Sequence, residues 1–222
     1  QMAHWGKLDE SSGNAMDNIG GTLGTSTASG TIVYESDLQR DKVFHFNGIS
    51  GHVTTATFSN PSSNEITISV WVKSDDTNNF LARYTWISKD NVYLFGSNLA
   101  DRQICFVTYH DGEYKYGVGC YTIPAPPTGI SANTWHHFVG TYIGSGSNAG
   151  LRKVYIDGVE VGTGTVSATV RTLPVLSSSA DIGYDQEFLG FNDGSLSDVM
   201  IFDKALDADE VKQLYYNTKE KV

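Results

Sequence analysis

The sequence has 222 residues, with 15 Lys and Arg against 25 Asp and Glu and a net charge of −10 at neutral pH. A chain this acidic repels phosphate backbones, which argues against nucleic acid as a partner and favours cations or neutral ligands. Hydrophobic residues at 40%, aromatics at 12%, 23 glycines and only 18% charged residues argue against disorder, a coiled coil or a helical bundle.

The dominant signal is a succession of short β runs separated by turn residues. In chain order these are 43–46, 52–58, 66–73, 86–89, 92–95, 104–109, 114–123, 135–142, 153–157, 159–162 and 194–202. The run Ile66 to Lys73 alternates apolar and polar residues, as a strand with one buried face does. Asp157-Gly158 between two runs suits a type I′ hairpin turn. About a dozen strands at this spacing predict an all-β sandwich or barrel, and the lack of alternating long helices excludes a doubly wound α/β fold. An all-β sandwich of ~200–250 residues is commonly one domain, so residues 1–222 read as one.

Two cysteines fall in the run from Gln103 to Ile123, which reads as a hairpin about His110-Asp111-Gly112-Glu113. If residue 111 faces 114, Cys105 lies opposite Cys120 and a cross-strand disulfide can form. Its loop of about 15 residues would contribute roughly 3 kcal/mol. Two buried free thiols are the alternative. Two cysteines without a neighbouring His pair do not suggest zinc.

One helix is predicted near the C-terminus, ending near Asn217. Asp207 and Glu210 form a capping box, Leu206 and Val211 a hydrophobic staple, and Val211, Leu214 and Tyr215 one apolar face. Stretches 20–30, 124–133 and 144–150 read as surface loops. No run approaches the ~18 apolar residues of a membrane span, which argues against membrane insertion. The opening Gln1-Met2-Ala3-His4-Trp5 shows no basic and apolar leader, and a leading Gln reads as the cut end of a longer or processed protein.

Several motifs, taken in order, resemble a known group. They are His4 to Gly13 followed by Asp17, Phe44-His45-Phe46-Asn47-Gly48, Thr67 to Lys73, Trp135 to Tyr142, Val154 to Gly158, and Leu196 to Phe202 after Ile182-Gly183. The set resembles the LamG-like jelly-roll domains of the concanavalin A-like lectin/glucanase superfamily over roughly residues 4–216. The resemblance implies a jelly-roll β-sandwich of two antiparallel sheets with one short C-terminal helix. It also implies an extracellular setting, secreted or at the cell surface, which favours the Cys105–Cys120 bond.

By that resemblance a structural Ca²⁺ is expected where the N-terminal loop, the Phe-x-Gly turn and the last strand meet. Asp17 and Asp198 would supply carboxylates, and Asn47 and Gly48 carbonyl oxygens. Ser197 stands where the family carries a second acidic residue. The alternative is an Asx-turn at Asp17 and a backbone N–H bond at Asp198.

No catalytic set is recognisable. The alternating carboxylates of retaining glucanases are missing, and Asp185-Gln186-Glu187 lacks the third acid and reads as a solvated loop. No nucleophile elbow, Walker loop or dinucleotide fingerprint occurs. His136 and His137 are adjacent on a strand, point to opposite faces and cannot act together.

Aromatic residues carry the binding expectation, because sugar C–H faces stack on Tyr and Trp. In the expected register Tyr109 faces Tyr116, with Tyr114 two residues further along that face, forming one candidate patch. Tyr84, Trp86 and Tyr93 around Asn91 form a second. On the hairpin's other face Gly117 and Gly119 either leave a trough or relieve crowding. Trp71 and Trp135 are assigned to the core. The sequence thus reads as a non-catalytic, calcium-stabilised carbohydrate-binding module. A protein-adhesion or scaffolding domain, or a polysaccharide-degrading enzyme, is the alternative.

Overall fold

A computed structural model of the chain describes residues 2–9, 27–29, 32–60, 64–75, 84–98, 103–116, 118–124, 130–187 and 190–219. Two eight-stranded antiparallel sheets face each other, as the jelly-roll resemblance implies. The first runs β15 (Val159–Thr165), β14 (Leu151–Ile156), β13 (His136–Ile143), β7 (Glu65–Ser74), β18 (Asp193–Phe202), β4 (Asp41–Asn47) and β3 (Ile32–Asp37), with β1 (Met2–Gly6) also on β18. The second runs β11 (Glu113–Lys115), β10 (Gln103–His110), β9 (Tyr93–Asn98), β8 (Tyr84–Lys89), β17 (Asp181–Ile182), β5 (His52–Thr54) and β2 (Thr27–Ser29), with β12 (Tyr121–Thr122) also on β10. A small pair joins β6 (Phe58–Ser59) and β16 (Ser177–Ser178).

The pleat explains the core. Ile66, Ile68, Val70 and Val72 of β7 point inward and meet Trp86, Phe95 and Phe106 from the facing sheet. Both faces of β7 are buried, although its alternating pattern predicts one. Thr67 and Ser69 on the second face are shielded and hydrogen-bonded: Thr67 Oγ1 donates to the Lys204 carbonyl at 2.7 Å, and Ser69 Oγ lies 2.7 Å from His137 Nε2.

The covering element is α1 (Ala208–Thr218) with the segment before it. Both arms of the capping box form: Glu210 N–H donates to Asp207 Oδ1 at 2.9 Å, and Asp207 N–H to Glu210 Oε2 at 3.0 Å. Val211 packs with Val139, Tyr155 and Leu206, while Tyr215 stacks on Trp71 at 5.7 Å. Trp71 and Trp135 are therefore buried in a cluster under the helix, outside the inter-sheet core.

Asp157 and Gly158 hold φ of 51° and 80°, the paired left-handed geometry of a type I′ turn. The long run 114–123 breaks into β11 and β12, and the run 52–58 breaks after Thr54.

Candidate functional site

The β10–β11 hairpin is tighter than the sequence reading expects. Asp111 and Gly112, at φ of 53° and 85°, make a two-residue turn, so His110 faces Glu113 and Tyr109 faces Tyr114 rather than Tyr116. Farther from the turn the register is Gln103↔Thr122 and Ile104↔Tyr121. The residues between β11 and β12 absorb the two-residue difference. Cys105 and Cys120 meet as the sequence placed them and are disulfide-bonded, with their Cα atoms 4.5 Å apart.

Three tyrosines project from the outer face of this hairpin. Tyr109 and Tyr114 meet edge to face at 5.2 Å, and Tyr116 lies 6.4 Å beyond Tyr114. Tyr114 is buried and its hydroxyl accepts from the Asn91 N–H at 3.0 Å, while Tyr116 is 40% exposed. Asn91 sits at φ 53° in the β8–β9 turn, beside Asp90. After β17, Gln186 and Glu187 approach from the other side. Together with Gly112 and Glu113 these groups line an open pocket of about 540 Å³.

The pocket is electronegative. Burial, with Asp185 and Asp90 nearby, raises the pKa of Glu187, and burial with the same Asp185 raises that of the Tyr114 hydroxyl. Asp185 is itself buried and accepts from the Glu187 N–H at 3.1 Å.

Three ties hold the hairpin. The disulfide is one. Arg152 of β14, fully buried, donates from Nε to the Val118 carbonyl at 2.8 Å and from Nη2 to the Lys115 carbonyl at 2.7 Å. Asp111 accepts from the N–H groups of Thr169 and Val170 at 2.6 and 3.1 Å. Gly119 relieves crowding rather than opening a trough: a Cβ there would sit 2.9 Å from the Arg152 carbonyl oxygen of β14. Gly117 lies outside the described residues.

Of the expected ligand-binding residues, Asn91, Tyr109 and Tyr116 come together here. Trp86 and Tyr93 do not: both are fully buried, Trp86 against Phe138 at 4.3 Å. Tyr84 is buried in β8 away from the pocket lining. Their β run is flanked by covered faces, which periodicity alone does not reveal. Asp90, Glu113, Gln186 and Glu187 were not singled out as site residues. The Asp-Gly signal at 111–112, read as at 157–158, would have set Tyr109 directly opposite Tyr114.

Of the expected calcium ligands, the described ones, Asn47, Gly48 and Asp198, are not assembled around one point. Asn47 pairs with Asp193, and its Oδ1 accepts from the N–H groups of Ile49 and Ser50, both at 3.0 Å. Gly48 holds φ 71° against the Asp193 side chain. Asp198 lies five positions along β18, about 16 Å away at strand rise. It is fully buried, ion-paired to Arg40, and accepts from Trp5 Nε1 at 3.0 Å. A cation there would have to displace a guanidinium, so Asp198 does not fit the expected ligand set. Among the described residues no group of three His, Cys, Asp or Glu could hold a metal, and Asp17 lies outside them.

A family model, Laminin_G_3, described as the concanavalin A-like lectin/glucanases superfamily, matches residues 47–212. The chain belongs to this superfamily. Among curated proteins, the Sushi, von Willebrand factor type A, EGF and pentraxin domain-containing protein 1 of Rattus norvegicus is 27% identical over 189 residues, covering 81% of this chain and 5% of that protein. Among solved structures, the binding domain of botulinum neurotoxin DC in complex with SialylT superposes at TM-score 0.74 with 16% identity, over 98% of this chain and 51% of that one. Domain 4 of AbnA, a GH43 extracellular arabinanase from Geobacillus stearothermophilus, in complex with arabinotriose, gives 0.64 with 20% identity, over 97% and 98%. The neurotoxin domain is also known in complex with rat synaptotagmin II, at TM-score 0.69 and 16% identity over 98% of this chain and 51% of that one.

At these identities the structural likenesses show the concanavalin A-like fold. The chain spans a small part of the rat protein and about half of the neurotoxin chains. Among the described residues no helix is long and apolar enough to cross a membrane.

Proposed function

We propose that the chain is a non-catalytic carbohydrate-binding module of a secreted or cell-surface protein. The tyrosine pocket at the β10–β11 hairpin carries this reading. Tyr109 and Tyr116 offer ring faces to sugar C–H groups, while Asn91, Gln186 and the carboxylates offer partners for hydroxyls. The arabinotriose and SialylT complexes of the solved neighbours support a glycan as the ligand class. The disulfide supports an oxidising, extracellular compartment. Titration of a glycan panel tests the reading: Tyr116→Ala abolishes binding while leaving the fold intact. Release of reducing ends from a polysaccharide panel would replace it with an enzyme.

A structural Ca²⁺ enters the proposal through Asp17 and the Asn47–Gly48 turn, beside which Asp193 sets a carboxylate. A higher Tm in millimolar Ca²⁺ than in EDTA supports it, and an unchanged Tm removes it.

A protein partner is the second reading. Val170, Val175 and Leu176 are exposed in the segment that Asp111 ties to the pocket hairpin, and one neighbour is complexed with synaptotagmin II. Loss of partner capture on Val175→Asp, with glycan panels silent, would favour it.

A further inference from the structure

The pocket joins aromatic rings with carboxylates, and among the described residues no basic one lines it. Asp90, Glu113 and Glu187 all face it. Lys115, two residues along the hairpin from Glu113, is ion-paired with it. Asp185 stands behind Glu187, adding a fourth carboxylate close to the wall. A ligand carboxylate or sulfate entering here meets like charge and rejection. A protonated amine meets charge-assisted hydrogen bonds about twice as strong as neutral ones, and ring faces that attract cations.

We propose that the pocket selects glycans bearing free, protonated amino groups, such as glucosamine oligomers, over N-acetylated and acidic ones. This deepens the carbohydrate reading and rests on it. Tyr109 and Tyr116 take the sugar ring, and Asp90 and Glu187 take the ammonium. The upward shift of the Glu187 pKa, from burial and then from Asp185 and Asp90, agrees, because a bound cation relieves the repulsion among these carboxylates.

The test is calorimetric titration of the whole chain, at mildly acidic pH, with three tetrasaccharides: glucosamine, N-acetylglucosamine and galacturonate. The glucosamine tetramer is expected to bind about tenfold tighter than the N-acetylated one, a difference of about 1.4 kcal/mol. Tetragalacturonate is expected not to bind. The amine preference should shrink in high salt and in Asp90→Asn/Glu187→Gln. Equal affinity for the first two sugars overturns the amine selection and leaves the carbohydrate reading standing. Tightest binding of galacturonate also overturns it. Silence of all three overturns both. Oligolysine binding in a Tyr116-dependent way, with glucosamine silent, moves the ammonium to a protein partner and overturns the sugar assignment.

Discussion

Arg40 and Asp198, 158 residues apart, form an ion pair from which solvent is excluded on both sides. Asp198 sits at φ 48° at the bulge of β18, where the flanking partner changes from β4 to β1. Arg40 enters from the β3–β4 turn, lies 4.3 Å over the Trp71 ring, and donates from Nη1 to the Thr218 carbonyl at 2.5 Å. One guanidinium thus joins the first strands, the last strand and the end of α1. Arg40→Ala leaves the buried Asp198 carboxylate without its counter-ion and is expected to cost about 3–5 kcal/mol in urea unfolding. The double variant Arg40→Met/Asp198→Leu is expected to be more stable than either single change, since no charge is then stranded.

Two buried histidines set the acid limit of the fold. Burial lowers the pKa of His137 to about 3 and that of His110 to about 4. Both groups titrate near ~6.5 when unfolded, so below that pH the unfolded chain binds protons that the native chain refuses. Stability is full above pH ~6.5 and falls toward acid, by about 1.4 kcal/mol per pH unit for each histidine until its folded pKa is reached. Chemical denaturation across pH 4 to 7 measures the slope, and His137→Gln should make it shallower.

The Cys105–Cys120 bond closes a separation of 15 residues. Removing it as Cys105→Ser/Cys120→Ser is expected to cost about 3 kcal/mol. Tyr114 and Tyr116 lie inside that loop, so glycan affinity should fall together with Tm. Affinity unchanged in the double variant would show that the pocket does not depend on the bond.

Two glycines separate crowding from backbone strain. Gly112 and Gly119 both hold positive φ, but a Cβ at Gly112 meets open space, whereas one at Gly119 meets the Arg152 carbonyl. Gly112→Ala is expected to cost about 1–2 kcal/mol through its left-handed backbone. Gly119→Ala adds overpacking of about 1–3 kcal/mol, readable as a larger shift in denaturation midpoint.

Trp86→Ala provides the contrast to Tyr116→Ala. With no exposed surface and Phe95 and Phe138 on its ring, Trp86 is expected to cost about 3–5 kcal/mol when truncated. Its binding loss, if measured, should track the unfolded fraction.

The fold was legible because β periodicity, the capping box at Asp207 and the Asp157-Gly158 turn are local signals. Each of these elements forms as its own residues dictate. The site was legible in part. Asn91, Tyr109 and Tyr116 come together in the candidate pocket, because aromatics beside turn residues stand out in the sequence. Trp86 and Tyr93 were misplaced because an alternating strand looks the same whether one face or both are covered. Glu187 joins the pocket only through the packing of the segment after β17, which no spacing in the sequence encodes. Asp198 looked like a metal ligand because nothing local shows that Arg40 arrives from the far end of the chain.

The three ties on the β10–β11 hairpin have a consequence for recognition. One is covalent, one comes from Arg152 in the opposite sheet, and one holds the tip through Asp111. A segment fixed at its base, flank and tip has little conformational freedom left to lose when a ligand arrives. The ordering cost that weakens loop-borne sites is largely met at folding. On the proposed carbohydrate reading, affinity then comes from a preformed surface with few contacts rather than from loop closure.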